Sequence, residues 1–255
     1  MTLPDPSQIV AVIPARYQSS RLPGKVLADI NGRAMVHHVA DRVRASGLFG
    51  EVIVATDHEL VTDYCHTHHI PCVMTSASHT TGTDRVAEAV RSLPYRYVVN
   101  VQGDEPFIAA ESLRAMVELL AIPTVSIATL RCEITDAADL LDYNVVKVTA
   151  ANDGRVLYFS RQAIPAQREG KYMDWLKAAT YYRHLGLYGF RKEILMKLVG
   201  LGTSTLEVAE SLEQLRWLQH GYHMYISTVS DSSIAVDTEA DLYKARLIAK
   251  GLGSL

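Results

Sequence analysis

Five apolar residues in a row, Ile9-Val10-Ala11-Val12-Ile13, run straight into Pro14. A strand of this kind has no polar face to offer to water, so it must be covered on both sides, and proline is tolerated where its ladder of hydrogen bonds stops. Strands covered on both faces occur mostly in sheets flanked by helices, and the segments that follow have the spacing for that. Residues 34–46 carry Met35, Val36, Val39 and Val43 at helical intervals, with Gly47 as a stop signal. Residues 51–55 then read as a second strand, 58–69 as a second helix, 72–74 as a short third strand, 83–93 as a helix with a capped start, and 97–101 as a fourth strand. This alternation predicts βαβ units, a mostly parallel sheet and right-handed crossovers.

Residues 125–190 change character. Short strand-like runs at 125–130, 145–149, 156–159 and 185–190 surround an irregular, proline-containing stretch, which reads as an inserted antiparallel elaboration. A helical section at 207–220, a strand at 224–229 and a helix from 239 onward complete the chain. No internal repeat or Gly/Ser linker interrupts it, so residues 1–255 are expected to form one domain carrying the insertion at about 125–190.

Composition removes whole classes of function. Hydrophobic residues at 48% and charged residues at 21% describe a folded globular chain. A net charge of -3 argues against a nucleic-acid binder held by the phosphate backbone. Cys65, Cys72 and Cys132 form no CxxC pair, which points away from a disulfide framework or a thiolate zinc site and toward a reducing, cytoplasmic setting. Residues 1–8 lack a basic leader segment, and no stretch approaches ~18 consecutive apolar residues, so neither export nor a membrane span is expected.

Charge is nevertheless unevenly distributed. Between residues 16 and 33, Arg16, Arg21, Lys25 and Arg33 face Asp29 alone. These cations follow the first strand directly, at the sheet edge where doubly wound folds bind ligands, and a loop so built suits a pyrophosphate or triphosphate. It is neither a Walker loop nor the GxGxxG fingerprint; on charge alone it could equally be a solvated basic loop. The second chemical segment is Val99-Asn100-Val101-Gln102-Gly103-Asp104-Glu105-Pro106, an apolar strand ending in two acids. Mg²⁺ is held by one or two carboxylates together with substrate phosphates, and acids there could supply them. Gly-Asp and Glu-Pro are also turn-formers, which leaves a plain turn as the competing reading.

Together the two segments resemble the sugar cytidylyltransferases, specifically the CTP:3-deoxy-manno-octulosonate (Kdo) cytidylyltransferase, or CMP-Kdo synthetase, family. The likeness continues in the family's order through Ala55-Thr56-Asp57, Thr81-Gly82-Thr83-Asp84-Arg85, Asn144-Val145-Val146-Lys147, Tyr158-Phe159-Ser160-Arg161, Arg183-His184-Leu185-Gly186-Leu187-Tyr188, Leu212-Glu213-Gln214-Leu215-Arg216 and Val236-Asp237-Thr238. The resemblance implies an α/β, Rossmann-like nucleotidyltransferase fold, a homodimer formed through the inserted region, and transfer of CMP from CTP to the anomeric hydroxyl of Kdo for lipopolysaccharide synthesis. By that likeness Arg16 and Lys25 hold the CTP phosphates with Arg21 in support, and Asp104 and Asp237 bind Mg²⁺. Thr81, Gly82 and Thr83 meet the base, while Gln102, Arg161, His184, Tyr188, Glu213 and Gln214 meet the sugar acid, Arg161 as a fork for its carboxylate.

Several readings compete with these roles. Val208, Leu212 and Leu215 would form an apolar stripe on one continuous helix over 206–219, turning Glu213 and Gln214 toward solvent. His66, His68 and His69 read as helix surface, and Trp175 and Trp217 as packing residues. The chain also departs from the family: Val26 stands where a proline is usual, and Ser204-Thr205-Leu206-Glu207, Ile164-Pro165-Ala166-Gln167-Arg168-Glu169 and Thr238-Glu239-Ala240-Asp241 replace the common motifs. Most of these changes fall in the acceptor half. Other acceptors compatible with the same chemistry are 8-amino-Kdo, another ulosonic acid or a small phosphonate; a non-catalytic nucleotide binder is the alternative of a different class.

Overall fold

The computed structural model describes residues 2–19, 22–230 and 235–251. The elements in chain order are β1 (Ile9–Ala15), the hairpin β2 (Asp29–Ile30) and β3 (Arg33–Ala34), α1 (Met35–Ala45), β4 (Glu51–Thr56), α2 (Glu59–Thr67), β5 (Cys72–Met74), α3 (Gly82–Val90), β6 (Tyr97–Asn100), α4 (Ala110–Ala121), β7 (Ile127–Glu133), α5 (Ala137–Leu141), β8 (Lys147–Ala150), β9 (Val156–Ser160), α6 (Trp175–Ala178), β10 (Tyr182–Arg191), α7 (Lys192–Leu198), α8 (Thr205–Glu210), α9 (Gln214–Gln219), β11 (Tyr225–Thr228) and α10 (Glu239–Ala249). The main sheet has the order β11-β7-β10-β6-β1-β4-β5, with β8 and β9 attached beside β10.

β1 lies between β4 and β6, parallel to both. Its residues alternate between the two faces as a strand of period two must: Ile9, Ala11, Ile13 and Ala15 pack with α1, α2 and α4, while Val10 and Val12 pack with α3, α7 and α9. Every residue in that alternation is completely or almost completely buried, which is why the strand carries no polar side chain. Because the three strands are parallel, the segments leaving β1, β4 and β6 all emerge at one edge of the sheet.

The region from 125 to 190 is continuous with this sheet. β10 runs antiparallel between β6 and β7, and β11 pairs parallel with β7 on the outside. A register shift between Leu185 and Tyr188 bulges β10 against β7, and such a bulge re-aims the side chains around it. The β8–β9 hairpin extends from β10 through Lys147 and Arg183. Ile134, Leu140, Trp175 and Tyr181 form a small core of their own beneath the irregular stretch. Trp217 is buried in the main core.

Two helices longer than five residues lie outside the segments delimited by periodicity, α4 and α7, although Leu113, Met116, Val117 and Leu120 of α4 have helical spacing and are buried. A third difference has more consequence. The single helix expected over 206–219 is two helices, α8 and α9, broken at Ser211, which adopts the left-handed conformation at φ 52°. The break leaves Val208 67% exposed and turns Gln214 into the protein. A capping box closes the start of α8, with Ser204 and Glu207 bonding each other's backbone amides. Arg216 of α9 then grips Glu207 at 2.5 Å, pinning the two short helices together.

A β-branched side chain at Ser211 would clash in the left-handed conformation, whereas glycine adopts it freely. Ser211→Val is therefore expected to lose ~1–2 kcal/mol of stability and Ser211→Gly to lose none, measured by urea unfolding.

Candidate active site

The first loop, the turn after β6 and the start of α3 enclose a cavity of about 730 Å³ lined by Arg16, Tyr17, Lys25, Gly82, Gln102, Asp104 and Asp237 among others. Residues 22–30 form the loop's return, in which a short turn at Lys25–Leu27 points Lys25 inward. The Lys25 ammonium lies 2.6 Å from Asp104 Oδ2 and 3.0 Å from Asp237 Oδ1. Burial opposes the charge on Lys25, but the two carboxylates outweigh it and hold its pKa above the ordinary value.

Asp237 does not follow a strand, although the apolar run Ile234-Ala235-Val236 precedes it in sequence: residues 235–237 are irregular, and Ile234 lies outside the described residues. The backbone places it instead. Val236 donates its N–H to the Asp104 carbonyl at 2.9 Å, stitching the two acid-bearing segments together. Gly103 makes the close approach possible from the other side, because a Cβ there would sit 2.9 Å from the Pro14 carbonyl oxygen. The turn reading of Gly103-Asp104 and the ligand reading are thus compatible, since the turn delivers the acid.

Arg16 is exposed and donates to the Thr80 carbonyl at 3.4 Å, so it spans the mouth of the cavity between the first loop and the start of α3. Arg21 lies outside the described residues. Thr81 caps α3 by accepting the Asp84 N–H, Gly82 lines the cavity, and Thr83 donates to Glu213 Oε2 at 2.8 Å.

A second group of residues adjoins the cavity along β10 and α9. Gln102 donates through Nε2 to the Gly186 carbonyl at 2.9 Å, at the bulge of β10. His184 Nε2 lies 2.9 Å from Thr129 Oγ1, and its ring packs against Phe159 and Tyr188. Burial pushes the His184 imidazole down to about 3 and the Tyr188 hydroxyl well above its usual value, the latter helped by Glu213. Burial also raises Glu213, against the hydrogen bonds from Thr83 and Thr81. The break at Ser211 is what brings Glu213 into contact with Thr83.

Arg161 occupies a different position from the fork expected of it. Its Nε donates to the Glu210 carbonyl, one terminal nitrogen to the Tyr143 carbonyl and the other to the Ser211 carbonyl, at 2.7 to 3.2 Å. Its own N–H goes to the Glu210 carboxylate. The guanidinium thus ties down the junction of α8 and α9.

Asp57 and Arg85 lay within quoted motifs without a role, and the structure joins them directly. Arg85 is fully buried and 2.7 Å from Asp57. The signal was a cation on the buried face of α3, among Val86, Ala89 and Val90. His66, His68 and His69 are exposed, and among the described residues no group of three or more His, Cys, Asp or Glu side chains is placed to hold a metal. Nor is any described helix long and apolar enough to cross a membrane.

Comparisons with known proteins agree with this geometry. Residues 10–228 match the family model described as Cytidylyltransferase. The chain is 42% identical over 239 residues to the 3-deoxy-manno-octulosonate cytidylyltransferase of Cytophaga hutchinsonii, covering 92% of this chain and 95% of that one. It is 43% identical over 250 residues to the protein of the same name from Neisseria gonorrhoeae, covering 95% and 98%. A solved structure of CMP:2-keto-3-deoxy-manno-octonic acid synthetase complexed with CTP superposes with a TM-score of 0.89 at 38% identity, covering 96% of this chain and all of that one.

A histidine that is neutral when folded and ordinary when unfolded takes up its proton only on unfolding, so its contribution weakens the fold as pH falls from 6.5 toward 3. Urea midpoints compared at about pH 7 and pH 5 should therefore fall less for His184→Gln than for the wild-type chain.

Proposed function

This chain belongs to the cytidylyltransferase family, and we propose that it transfers CMP from CTP to the anomeric hydroxyl of 3-deoxy-manno-octulosonate, releasing pyrophosphate and supplying CMP-Kdo for lipopolysaccharide synthesis. The observation that carries this reading is the Lys25 ammonium held between Asp104 and Asp237 at the edge of a cavity large enough for a nucleotide. The setting is cytoplasmic, and the enzyme works as a homodimer through the region at about 125–190, as in the family it belongs to.

Attack on the α-phosphorus needs alignment and charge neutralisation more than a covalent nucleophile. Arg16, Arg21 and Lys25 bind the triphosphate from the loop after β1, and Arg16 is positioned to draw that loop and the start of α3 around it. The backbone and hydroxyls of Thr81, Gly82 and Thr83 contact the cytosine edge. Two carboxylates converging on one cation form a hard oxygen-donor set that fits Mg²⁺, so Asp104 and Asp237 would hold it in the place the ammonium now stabilises. When bound, Mg²⁺ would supply charge neutralisation on the phosphates.

The sugar acid lies against β10 and α9. Gln102, His184, Tyr188, Glu213 and Gln214 face it with buried or half-buried polar groups, suited to ordering hydroxyls. Arg161 serves the same pocket by fixing the α8–α9 junction that carries Glu213 and Gln214.

Asp104→Asn and Asp237→Asn should each lower kcat by ~10²–10³, equivalent to ~3 kcal/mol in the barrier, with the fold intact by circular dichroism. Pyrophosphate release from CTP with a panel of acids tests the acceptor: Kdo should give the highest kcat/KM, and turnover confined to 8-amino-Kdo or a phosphonate would overturn the reading. CTP binding without release from any acid would favour a non-catalytic nucleotide binder.

A further inference from the structure

The end of β4 and the buried side of α3 are joined by a charge pair that is not itself among the residues lining the cavity. Arg85 has no exposed side-chain surface, and one of its terminal nitrogens lies 2.7 Å from Asp57 Oδ2. The other terminal nitrogen donates to Thr75 Oγ1 at 2.5 Å, and Thr75 in turn donates its backbone N–H and hydroxyl to the Thr56 carbonyl. Thr56 then donates its hydroxyl to the Ala15 carbonyl at 2.7 Å, the last residue of β1. A single buried cation thus holds together the carboxyl ends of β5, β4 and β1.

Asp57 extends this arrangement into the first loop. While Oδ2 takes Arg85, Oδ1 accepts the Tyr17 N–H at 3.4 Å. The Tyr17 ring stacks on His58 at 4.0 Å, so two adjacent residues after β4 hold the same loop residue. Tyr17 accepts the Gly24 N–H on its carbonyl at 3.1 Å, and Gly24, left-handed at φ 67°, begins the turn that points Lys25 inward. Hydrogen bonds therefore lead without a gap from Arg85 through Asp57, Tyr17 and Gly24 to the residue before Lys25. Arg85 also belongs to the helix whose first residues, Gly82 and Thr83, adjoin the cavity.

From this chain of contacts we infer that Arg85 and Asp57 are positioning residues for CTP: they set the first loop against the start of α3 and so fix the distance between the triphosphate cations and the base-contacting segment. The inference rests on CTP being the nucleotide of this site. The hydrogen bonds of Arg85 and Asp57 described above do not go to the acceptor groups of β10 and α9, so the larger effect falls on the nucleotide.

Removing one partner leaves a buried unpaired charge and threatens folding, so the test replaces both. In Asp57→Leu/Arg85→Met each charge is exchanged for an apolar group of similar size, a replacement that folded proteins tolerate well. Leu195→Ala, which opens a cavity at a fully buried position of α7, serves as a destabilised control. CTP affinity is read by calorimetry in the presence of Mg²⁺, and KM values for CTP and Kdo by pyrophosphate release. In the double variant, Kd and KM for CTP should rise about tenfold or more, with KM for Kdo and kcat at saturating CTP changed less than about twofold. The control should lose thermal stability and keep its KM for CTP. If the folded double variant binds CTP as tightly as wild type, or if its loss appears equally for Kdo, the inference is overturned alone. If the wild-type chain itself fails to bind CTP, the functional reading falls and takes the inference with it.

Discussion

Two carboxylates 133 positions apart in sequence are held around one ammonium. Two like charges ~4 Å apart repel by ~4 kcal/mol at the effective dielectric of a partly buried site, a repulsion of the order that a cation between Asp104 and Asp237 offsets. Lys25 supplies that cation from a third distant segment. On the proposed function a triphosphate would compete for the ammonium and a divalent cation for the acids, so this ion-pair network would respond to nucleotide.

The backbone does much of the positioning. Parallel pairing of β1 with β4 and β6 sends all three outgoing segments to one edge, and the absence of a Cβ at Gly103 lets the turn after β6 lie directly on Pro14. The Val236 N–H then fixes the last acid to the Asp104 carbonyl without any strand to guide it. Side chains add little to this frame except where they are buried and charged, as with Arg85 and Arg216. Each of those closes a joint between elements that share no ladder of hydrogen bonds.

Features that depend on local periodicity were legible in the sequence. The unbroken apolar run of β1, the helical spacing of α1 and the cations of the first loop each follow from a short window, and each is where that window implies. What was not legible depends on contacts between distant segments. Nothing local in Leu206-Glu207-Val208 distinguishes one helix from two, because the break at Ser211 is held by Arg161 donating to the Glu210 and Ser211 carbonyls from 50 residues away. The same holds for β10. Its alternation fits any antiparallel strand, and only its pairing with Asn100 and Thr129 shows it to be a middle strand of the main sheet. The family likeness named Glu213 as a ligand; the physical reason it can be one is the helix break.

The two halves of the site work by different physics. The nucleotide half is made of cations and carboxylates in a partly exposed cleft, where attraction is strong but tolerant of small displacements. In the half along β10 and α9, which the proposed function gives to the acceptor, burial holds His184 and Tyr188 neutral and raises Glu213, so on that reading these groups act through the direction of their hydrogen bonds. A buried polar group without its partner costs ~1–3 kcal/mol, so a pocket of this kind rejects an acid whose hydroxyls are misplaced far more strongly than a charged cleft would. On the proposed function, fidelity toward the sugar acid depends on how rigidly α9 and β10 are held, and Arg161, bound to the Glu210, Tyr143 and Ser211 carbonyls, fixes the helix junction that carries Glu213 and Gln214.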